Sequence, residues 1–338
     1  MKKLFIDLSP GFYKTKLLNE LSKKINLLVI YTTGYDATSR NDDFLKGQRN
    51  YPYIQLSGSK WSQCYQIIKS MISGGFDEII VGGYVSLASW MPILFSSKKR
   101  NAMLLESTFR ETKIKGAAVI MKKFFFSRLH RVYVCGSPHE KLTRMFGFKG
   151  ECKYWHSVGL INLVSQPAYA PRTIVRNFLF VGRLIWQKNL MWLIDRFTEH
   201  PELNLTIVGF GELEGQLKSH ICSPNINMVG AINNEDLAEY YQYADVFILP
   251  SVSETWGLVV EEALNNGTPV MLSHMVGAAD DLAIPDKTGV IFQSNDIESF
   301  EMKLKEICDL NRYNGMRKYI SKMNFEERED NIIKAFVD

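Results

Sequence analysis

The stretch LPSVSETWGL, residues 249–258, is the part of the sequence most informative about the fold, because its pattern indicates a buried strand joined to a helix. The strand ends at Pro250, and the loop after it carries one carboxylate, Glu254. Gly257 then opens a helix that carries a second carboxylate, Glu262. At ~1.5 Å per residue, Glu262 lies about 7.5 Å further along the axis. The stretch therefore predicts a strand, a loop and a helix, with one acid before the helix and one on it.

This arrangement suits a ligand with hydroxyl groups at both ends and an anion between them. Backbone N–H groups and the helix dipole favour an anion at the helix start. Carboxylates accept hydrogen bonds from hydroxyls, so Glu254 and Glu262 match the sugar and the ribose of a nucleotide sugar. The alternative is that Glu254 caps the helix and Glu262 lies on its solvated face. The surrounding Trp256-Gly257 and Gly267-Thr268-Pro269 favour the binding site.

A second motif, FVGRL at 180–184, leaves another strand, and Lys188 follows shortly before the next helix. Ligands of open α/β sheets bind at the carboxyl ends of the strands. Arg183 and Lys188 in one loop could neutralise a leaving diphosphate without a divalent metal. Taken alone, two such residues are more often surface charges, but the glutamate pair makes them candidate phosphate ligands.

Outward from these motifs, apolar runs of four to six residues alternate with helical patterns, as a parallel sheet buried on both faces requires. The run YWHSVGLINLVSQPAYAPRT, 154–173, loses this periodicity and carries Pro167 and Pro171, so we interpret it as a linker. The alternation then restarts. The sequence predicts two Rossmann-like α/β domains facing across a cleft, with residues 1–165 binding the acceptor and 166–338 the nucleotide sugar. The last helix is expected to return to the first domain.

The motifs over residues 174 to about 293 resemble the E-x7-E and GRL-x-x-x-K signatures of the family-4 retaining glycosyltransferases, which have the GT-B fold. The resemblance implies that Glu254 contacts the transferred sugar, that Glu262 holds the ribose and that Arg183 and Lys188 grip the donor phosphates. Trp256 replaces a phenylalanine of the family and keeps an aromatic wall. The predicted donor-binding set is completed by Gly182, Gly209, Gly211, Ile232, Gly257, Leu258 and, in the first domain, Gly11. Gly209 and Gly211 form a glycine-rich turn after a strand, and the alternative is that they serve only the fold.

The first domain matches this family less closely. Gly11 follows the first strand, where it would let the backbone approach the donor phosphates or would serve only the turn. Glu106 stands where many family members have a histidine. It is a candidate catalytic residue that would orient the acceptor or stabilise positive charge on the sugar, and capping the next helix is the alternative.

Composition and charge exclude several other classes of protein. Hydrophobic residues make up 46% and charged residues 22% of the 338 residues, as in ordinary soluble α/β proteins. Five scattered cysteines with no CxxC pair predict no zinc site, and we expect no metal and no cofactor beyond the donor, with UDP and GDP both open. Asp7 and Pro10 interrupt the N-terminus too early for a signal peptide, so a cytoplasmic protein is predicted.

The first 165 residues carry 25 basic and 11 acidic side chains, a net charge of +14. A basic stretch that includes Lys113, Lys122, Lys123 and Arg131 is interleaved with bulky apolar residues, and Lys98–Arg100 adds charge. Such a helix fits either an anionic membrane surface at the inner face of the cell or ordinary packing on the sheet. Nucleic acid is not expected, because no recognised binding module is present.

The sequence thus predicts a retaining hexosyltransferase that passes a sugar to a glycan or lipid-linked glycan. A bacterial role in O-antigen, lipopolysaccharide, capsule or exopolysaccharide assembly follows by analogy. The alternatives are a nucleotide-sugar epimerase of the same fold and a non-catalytic nucleotide-sugar-binding partner protein. A dinucleotide oxidoreductase is disfavoured, because no GxGxxG motif opens either domain.

Overall fold

The computed structural model describes residues 1–32, 48–160 and 162–337 of the chain. They form two compact units, each built on one parallel β-sheet. Unit 1 comprises Met1–Gly159 together with the residues from Arg328 onward, and unit 2 comprises Leu160–Glu327. Two series of strands and helices are therefore present, as the sequence predicts.

The boundary between the units lies between Gly159 and Leu160, whereas the sequence places it after residue 165. The backbone N–H of Val164 donates to Oδ1 of Asn265 at 3.0 Å, and Nδ2 of Asn265 donates to the carbonyl of Val164 at 3.1 Å. These bonds attach the end of the linker to a helix of unit 2, which moves the boundary towards the N-terminus.

Unit 1 is a seven-stranded sheet with the strand order β3-β2-β1-β4-β5-β6-β7. Its strands are β1 (Lys2–Asp7), β2 (Asn26–Tyr31), β3 (Tyr53–Gln55), β4 (Glu78–Val81), β5 (Asn101–Leu105), β6 (Arg131–Val134) and β7 (Glu151–Tyr154). Its helices are α1 (Phe12–Ser22), α2 (Lys60–Gly74), α3 (Leu87–Phe95), α4 (Ala118–Ser127) and α5 (Ser137–Met145), with a 3-10 turn at Lys98–Arg100.

Alternate side chains of these strands pack on opposite faces of the sheet. On one face, residues such as Leu4 and Val132 form a core with helices α2 to α5. On the other face, the ring of Phe336 stacks on Tyr133 with centroids 4.4 Å apart and lies 6.0 Å from the ring of Phe5. Phe336 belongs to the last helix, so the end of the chain covers this second face of unit 1.

Unit 2 is a six-stranded parallel sheet with the order β10-β9-β8-β11-β12-β13. Its strands are β8 (Asn177–Val181), β9 (Asn204–Val208), β10 (Ile226–Gly230), β11 (Val246–Leu249), β12 (Val270–Ser273) and β13 (Gly289–Phe292). Its helices are α6 (Leu190–Thr198), α7 (Glu214–His220), α8 (Leu237–Tyr243), α9 (Leu258–Asn265), α10 (Ala279–Leu282), α11 (Ile297–Cys308) and α12 (Leu310–Ile320), with a 3-10 turn at Trp186–Lys188. The last helix, α13 (Phe325–Val337), begins in unit 2 and continues into unit 1.

Two features differ from the sequence-based expectations. Strand β7 is missed by the pattern because it is an edge strand in which no residue is fully buried. The helix before β6 is α4, which is ten residues long, so Lys113 and Lys115 precede it rather than lie on it. Within the described residues, no helix combines the length and the apolar character needed to cross a bilayer.

Candidate active site

Glycine-rich loops meet at the carboxyl edge of the sheet in unit 2. The N–H of Gly209 donates to the carbonyl of Gly230 at 2.8 Å, which extends the pairing of β9 and β10. A Cβ atom at position 209 would lie 1.8 Å from the carbonyl oxygen of Gly182, and one at position 211 would lie 2.5 Å from that of Leu184. Glycine is therefore required at both positions for the three loops to approach one another.

The loop between β11 and α9 is held by backbone bonds to the segment after β12. The N–H of Glu254 donates to the carbonyl of Met275 at 3.3 Å, and the carbonyl of Glu254 accepts from the N–H of Gly277 at 2.8 Å. Gly257 caps α9 with φ near +98°, a left-handed conformation that glycine adopts without strain. Glu254 is thus fixed immediately before the start of a helix.

Three further residues of the predicted donor site lie near these loops. Trp256 is buried, with 3% of its surface exposed. Leu258 is the first residue of α9 and is half-buried. Ile232 is half-buried in the loop that follows β10. Their contacts with a ligand stay predictions.

The structure brings Lys188 and Glu254 together. Nζ of Lys188 donates to Oε2 of Glu254, and the two side chains are only 11% and 18% exposed. The 3-10 turn that ends at Lys188 is followed by Asn189 in the left-handed conformation, with φ near +56°. The N–H of Val252 donates to the carbonyl of Gln187 at 2.9 Å, which joins the lysine loop to the glutamate loop. The pair therefore lies on two loops that are bonded to each other.

Arg183 lies in the same loop as Lys188 but outside this pair. Its side chain is exposed, and no ion pair to it occurs among the described residues. A free cation beside a paired one leaves the loop with an unneutralised positive charge, which is what an anionic ligand needs.

Glu262 faces a cavity of about 230 Å³ at the side of α8 and α9. The hydroxyl of Tyr241 donates to Oε2 of Glu262 at 2.9 Å. Burial raises the pKa of Glu262, the bond from Tyr241 opposes this rise, and the neighbouring Glu261 adds to it. The cavity includes Glu262 but not Glu254, Lys188 or Arg183.

The other residues that line this cavity carry no motif. They are Asn162, Val164, Asn234, Glu235, Leu237, Ala238, Tyr241 and Asn266. Nδ2 of Asn162 donates to the carbonyl of Asn234 at 2.9 Å, so the linker forms part of the wall. The sequence does not predict that these residues line one cavity, because they come from three separate segments. Only the absence of periodicity around 162–166 hints that this segment packs irregularly.

The two candidates in unit 1 lie at the carboxyl ends of its strands. Glu106 follows β5 and is half exposed, and Oε1 of its carboxylate lies 3.0 Å from Nζ of Lys14. Gly11 precedes α1 with φ near −95°, an ordinary extended conformation. Nothing in its backbone therefore demands glycine.

Lys14 joins Glu106 to a second carboxylate. Its Nζ lies 2.8 Å from Oδ2 of Asp7, at the end of β1. Burial lowers the pKa of Lys14, but the two carboxylates outweigh this effect and the pKa is raised overall. Lys14 is therefore held as a cation that fixes both carboxylates, an interaction that the sequence pattern does not reveal.

No group of three or more His, Cys, Asp and Glu side chains suitable for a metal ion occurs in residues 1–32, 48–160 and 162–337. The expectation of a metal-independent reaction stays a prediction. The polar groups that gather at the sheet edge of unit 2 are cations, carboxylates and backbone N–H groups, which suit a phosphorylated ligand with hydroxyl groups.

Comparison with known families adds to this geometry. Residues 170–325 match the family described as Glycosyl transferases group 1. This range contains the glycine loops, the Lys188–Glu254 pair and Glu262.

Curated relatives match part of the chain. The sulfoquinovosyl transferase SQD2 of Arabidopsis thaliana is 32% identical over 133 residues, which are 38% of this chain and 26% of that protein. The UDP-Gal:alpha-D-GlcNAc-diphosphoundecaprenol alpha-1,3-galactosyltransferase of Escherichia coli is 30% identical over 177 residues, 48% of this chain and 45% of that protein. The chain thus matches less than half the length of these relatives.

Solved structures match over the full length. The lipopolysaccharide outer core galactosyltransferase WaaB in its apo form has a TM-score of 0.73 and 16% identity, with 99% of this chain and 100% of that chain covered. This similarity confirms the predicted fold class, GT-B with two parallel-sheet α/β domains.

Proposed function

We propose, from the premise that residues 170–325 form a group 1 glycosyltransferase domain on a GT-B chain, that this protein transfers a sugar from a nucleoside diphosphate to a glycan or lipid-linked glycan with retention of the anomeric configuration. The observation that carries the proposal is the Lys188–Glu254 pair beside the start of α9. A cation and a carboxylate at a helix N-terminus match the two halves of a sugar phosphate.

Donor binding would exchange the partners of this pair. The diphosphate takes Lys188 and Arg183, together with the N–H groups at the start of α9. Glu254 is released to accept hydrogen bonds from hydroxyls of the transferred sugar. The loops that carry Lys188 and Glu254 are joined by the Val252–Gln187 bond, so the exchange needs only side-chain movement.

Glu262 would hold the ribose of the donor. Its carboxylate has one oxygen bonded to Tyr241 and faces a cavity lined by the amides of Asn162 and Asn266. Hydroxyl groups of a ribose can donate to the carboxylate and accept from the amides.

In the transfer step, the bond between the anomeric carbon and the phosphate oxygen breaks. A new bond forms between that carbon and the acceptor oxygen, on the same face of the sugar. The proton of the acceptor hydroxyl passes to an oxygen of the departing diphosphate. Lys188, Arg183 and the helix start stabilise the negative charge that develops on this leaving group. A covalent sugar intermediate on a carboxylate is the alternative route to retention.

We propose a lipid-linked glycan at the inner face of the cell membrane as the acceptor, in the assembly of a bacterial surface polysaccharide. Supporting this class, the Escherichia coli relative is named for a diphosphoundecaprenol acceptor and WaaB for the outer core of lipopolysaccharide. Glu106, fixed by Lys14, is proposed to orient the acceptor hydroxyl.

A panel of UDP-sugars and GDP-sugars tests the donor site, with thermal stabilisation and slow hydrolysis of the donor as readouts. One donor is expected to stabilise the protein and to be hydrolysed, and Glu262→Ala and Arg183→Ala should abolish both effects. Matched controls are Glu239→Ala on the exposed face of α8 and Arg176→Ala, which precedes β8 at the opposite edge of the sheet from Arg183. Both controls should behave as wild type.

The same panel separates the alternatives. An epimerase would convert the donor into an isomeric nucleotide sugar, and a non-catalytic partner protein would bind a donor without hydrolysing it. Equal responses of wild type, Glu262→Ala and Arg183→Ala would refute the proposed site.

A further inference from the structure

Unit 1 exposes a group of large apolar side chains on α3 and α4. They lie on the sides of the helices that face away from the core, because Met91, Phe125 and Phe126 fill the opposite sides. Ile120 is 73% exposed and Phe95 is 60% exposed. The complete apolar set is Leu87, Leu94, Phe95, Ile120, Met121 and Phe124. Contiguous exposed apolar patches are uncommon on monomeric proteins and mark interaction surfaces.

The two helices present these residues side by side. The ring of Trp90 on α3 stacks on Phe124 of α4, with centroids 6.5 Å apart and planes 12° apart. Nε of Arg128, which caps α4, donates to the carbonyl of Ile93 at 3.3 Å, and another nitrogen of its guanidinium donates to the carbonyl of Ser96 at 3.3 Å. The ends of α3 and α4 are therefore bonded together, and the apolar residues form one surface.

The charge around this surface is strongly positive. Residues 85–128 contain nine Lys and Arg but only two acids, Glu106 and Glu111. Glu106 is paired with Lys14, and Glu111 accepts from the N–H of Thr108 at 2.8 Å. The exposed lysines at its margins are Lys98, Lys99, Lys113, Lys115 and Lys123. We call the six apolar residues and these five lysines the α3–α4 surface.

We infer that the α3–α4 surface docks on an anionic phospholipid bilayer. Apolar side chains on a basic helix enter the boundary between headgroups and acyl chains, and lysines beside them bind the headgroup phosphates. Both parts are present here: the apolar residues lie on a bonded pair of helices, and the lysines lie on α4 and in the segments that follow α3 and precede α4. Neither helix could cross the bilayer, since α3 has nine and α4 ten residues. The protein therefore lies on the membrane through unit 1.

Other occupants fit this surface less well. In a symmetric dimer the same patch would face its own copy, and lysines would be placed against lysines. Single-stranded nucleic acid needs aromatic platforms for its bases, whereas Leu94, Ile120 and Met121 are aliphatic. A bilayer supplies negative charge and an apolar interior together, which matches both halves of the surface.

The inference goes beyond the proposed transfer reaction and does not depend on it. The surface belongs to unit 1, while the residues proposed to hold the donor belong to unit 2, apart from Gly11. Vesicle binding can therefore be measured without a donor or an acceptor. Donor hydrolysis without binding to vesicles would refute the docking surface alone. Binding to vesicles without donor hydrolysis would refute the transfer reaction alone.

Sedimentation with vesicles tests the inference on the full chain. We expect binding to vesicles of phosphatidylcholine mixed with phosphatidylglycerol, little binding to phosphatidylcholine alone, and weaker binding at high salt. The double variant Ile120→Ser with Phe124→Ser should abolish sedimentation. Lys98→Gln with Lys99→Gln should weaken it roughly fivefold per lysine, the equivalent of ~1 kcal/mol each.

Matched controls lie elsewhere in unit 1. Ile72→Ser removes an apolar side chain of α2 that is 79% exposed, and Lys23→Gln with Lys24→Gln removes two adjacent lysines after α1. Each control should bind vesicles as wild type, and thermal unfolding should show that all variants fold. Three results would overturn the inference: no sedimentation of wild type, equal loss in controls and test variants, or concentration-dependent self-association that the test variants abolish.

Discussion

Each unit of the protein contains a shielded lysine–glutamate pair, and the two pairs differ in where they lie and in how many partners they have. In unit 1, Lys3 and Glu78 pair at 2.6 Å with side chains 0% and 4% exposed. In unit 2, Lys188 and Glu254 pair at the carboxyl edge of the sheet, with side chains 11% and 18% exposed. Lys3 and Glu78 lie instead at the amino edge of the sheet in unit 1, near the start of β1 and β4.

The carboxylate of Glu78 is saturated with donors. It accepts from Nζ of Lys3, from the hydroxyl of Tyr133 at 2.8 Å and from the guanidinium of Arg131 at 3.1 Å. Burial alone would raise the pKa of Glu78, but His130, Lys3 and Tyr133 lower it to about 2. By contrast, Lys188 is the one side chain bonded to the carboxylate of Glu254 among the described residues.

The difference separates a structural ion pair from one that is ready for a ligand. A buried carboxylate with every lone pair satisfied holds its surroundings in place and has no capacity for a substrate. A carboxylate with a single partner, at the edge where ligands of parallel sheets bind, can exchange that partner. We therefore expect substitutions at the first pair to change stability and substitutions at the second to change activity.

The largest expected effect is on stability, from Lys3→Met. This variant removes the fully buried cation from the carboxylate of Glu78 and leaves Arg131 as its remaining cationic partner, so the free energy of unfolding should fall by roughly 3–5 kcal/mol. Urea denaturation measures it, and Lys2→Met, one residue earlier on β1 with a partly exposed side chain, should change the result little.

The pH dependence sharpens this prediction. The pKa of Glu78 is lower in the folded protein than its ordinary value of 4.5. Its contribution to stability is present above pH 4.5 and is lost as the pH falls towards 2. The difference between wild type and Lys3→Met should therefore shrink over that window. A difference that does not change with pH would contradict the assignment.

Lys188→Met should have its main effect on activity and not on stability. Donor hydrolysis and transfer should fall by roughly a hundredfold to a thousandfold, because a charge that stabilises the leaving group is removed. The free energy of unfolding should fall by less than in Lys3→Met, because the side chain of Glu254 is 18% exposed at the sheet edge and can be hydrated there. Lys218→Met removes one member of an exposed pair with Glu214 in the same unit and should leave both quantities unchanged.

Tyr241→Phe should have the smallest effect of the series. The tyrosine hydroxyl opposes the burial that raises the pKa of Glu262, so its loss should raise that pKa further. Donor binding needs the carboxylate form and weakens as the pH falls through this pKa. The midpoint of donor affinity against pH should therefore move upward, by roughly one pH unit for a hydrogen bond to a charged group.

The matched control for this shift is Tyr243→Phe on the same helix, where the side chain is 73% exposed. Its pH profile should overlay that of wild type. An unshifted midpoint in Tyr241→Phe would mean that Glu262 does not take part in donor binding.

The sheet strands could be predicted from the sequence because they are continuous apolar runs. Strands such as β5 and β11 are buried along their whole length, so hydrophobicity alone marks them. Strand β7 could not be predicted in this way, since an edge strand with half-exposed residues resembles a loop in composition.

The side-chain pairs of both units depend on how segments distant in the sequence pack together, so they could not be predicted. Lys3 and Glu78 are register partners of β1 and β4, although 75 residues separate them. Tyr241 of α8 and Glu262 of α9 meet only in the folded chain, and no spacing in the sequence records this contact. Motifs single out Glu254, Glu262, Arg183 and Lys188 as candidates because each signature is local. The neighbours that contact them, such as Tyr241, come from elsewhere in the chain.

Calorimetric titration of a nucleoside diphosphate and its sugar conjugate directly tests whether the donor exchanges the partners of the Lys188–Glu254 pair. UDP and a UDP-sugar, or GDP and a GDP-sugar, would be titrated into wild type, Lys188→Met and Glu254→Gln. We expect Lys188→Met to bind both ligands more weakly, whereas Glu254→Gln should bind the nucleotide sugar more weakly and the diphosphate at least as tightly as wild type. Equal affinities of all three proteins for both ligands would contradict the partner exchange at the Lys188–Glu254 pair.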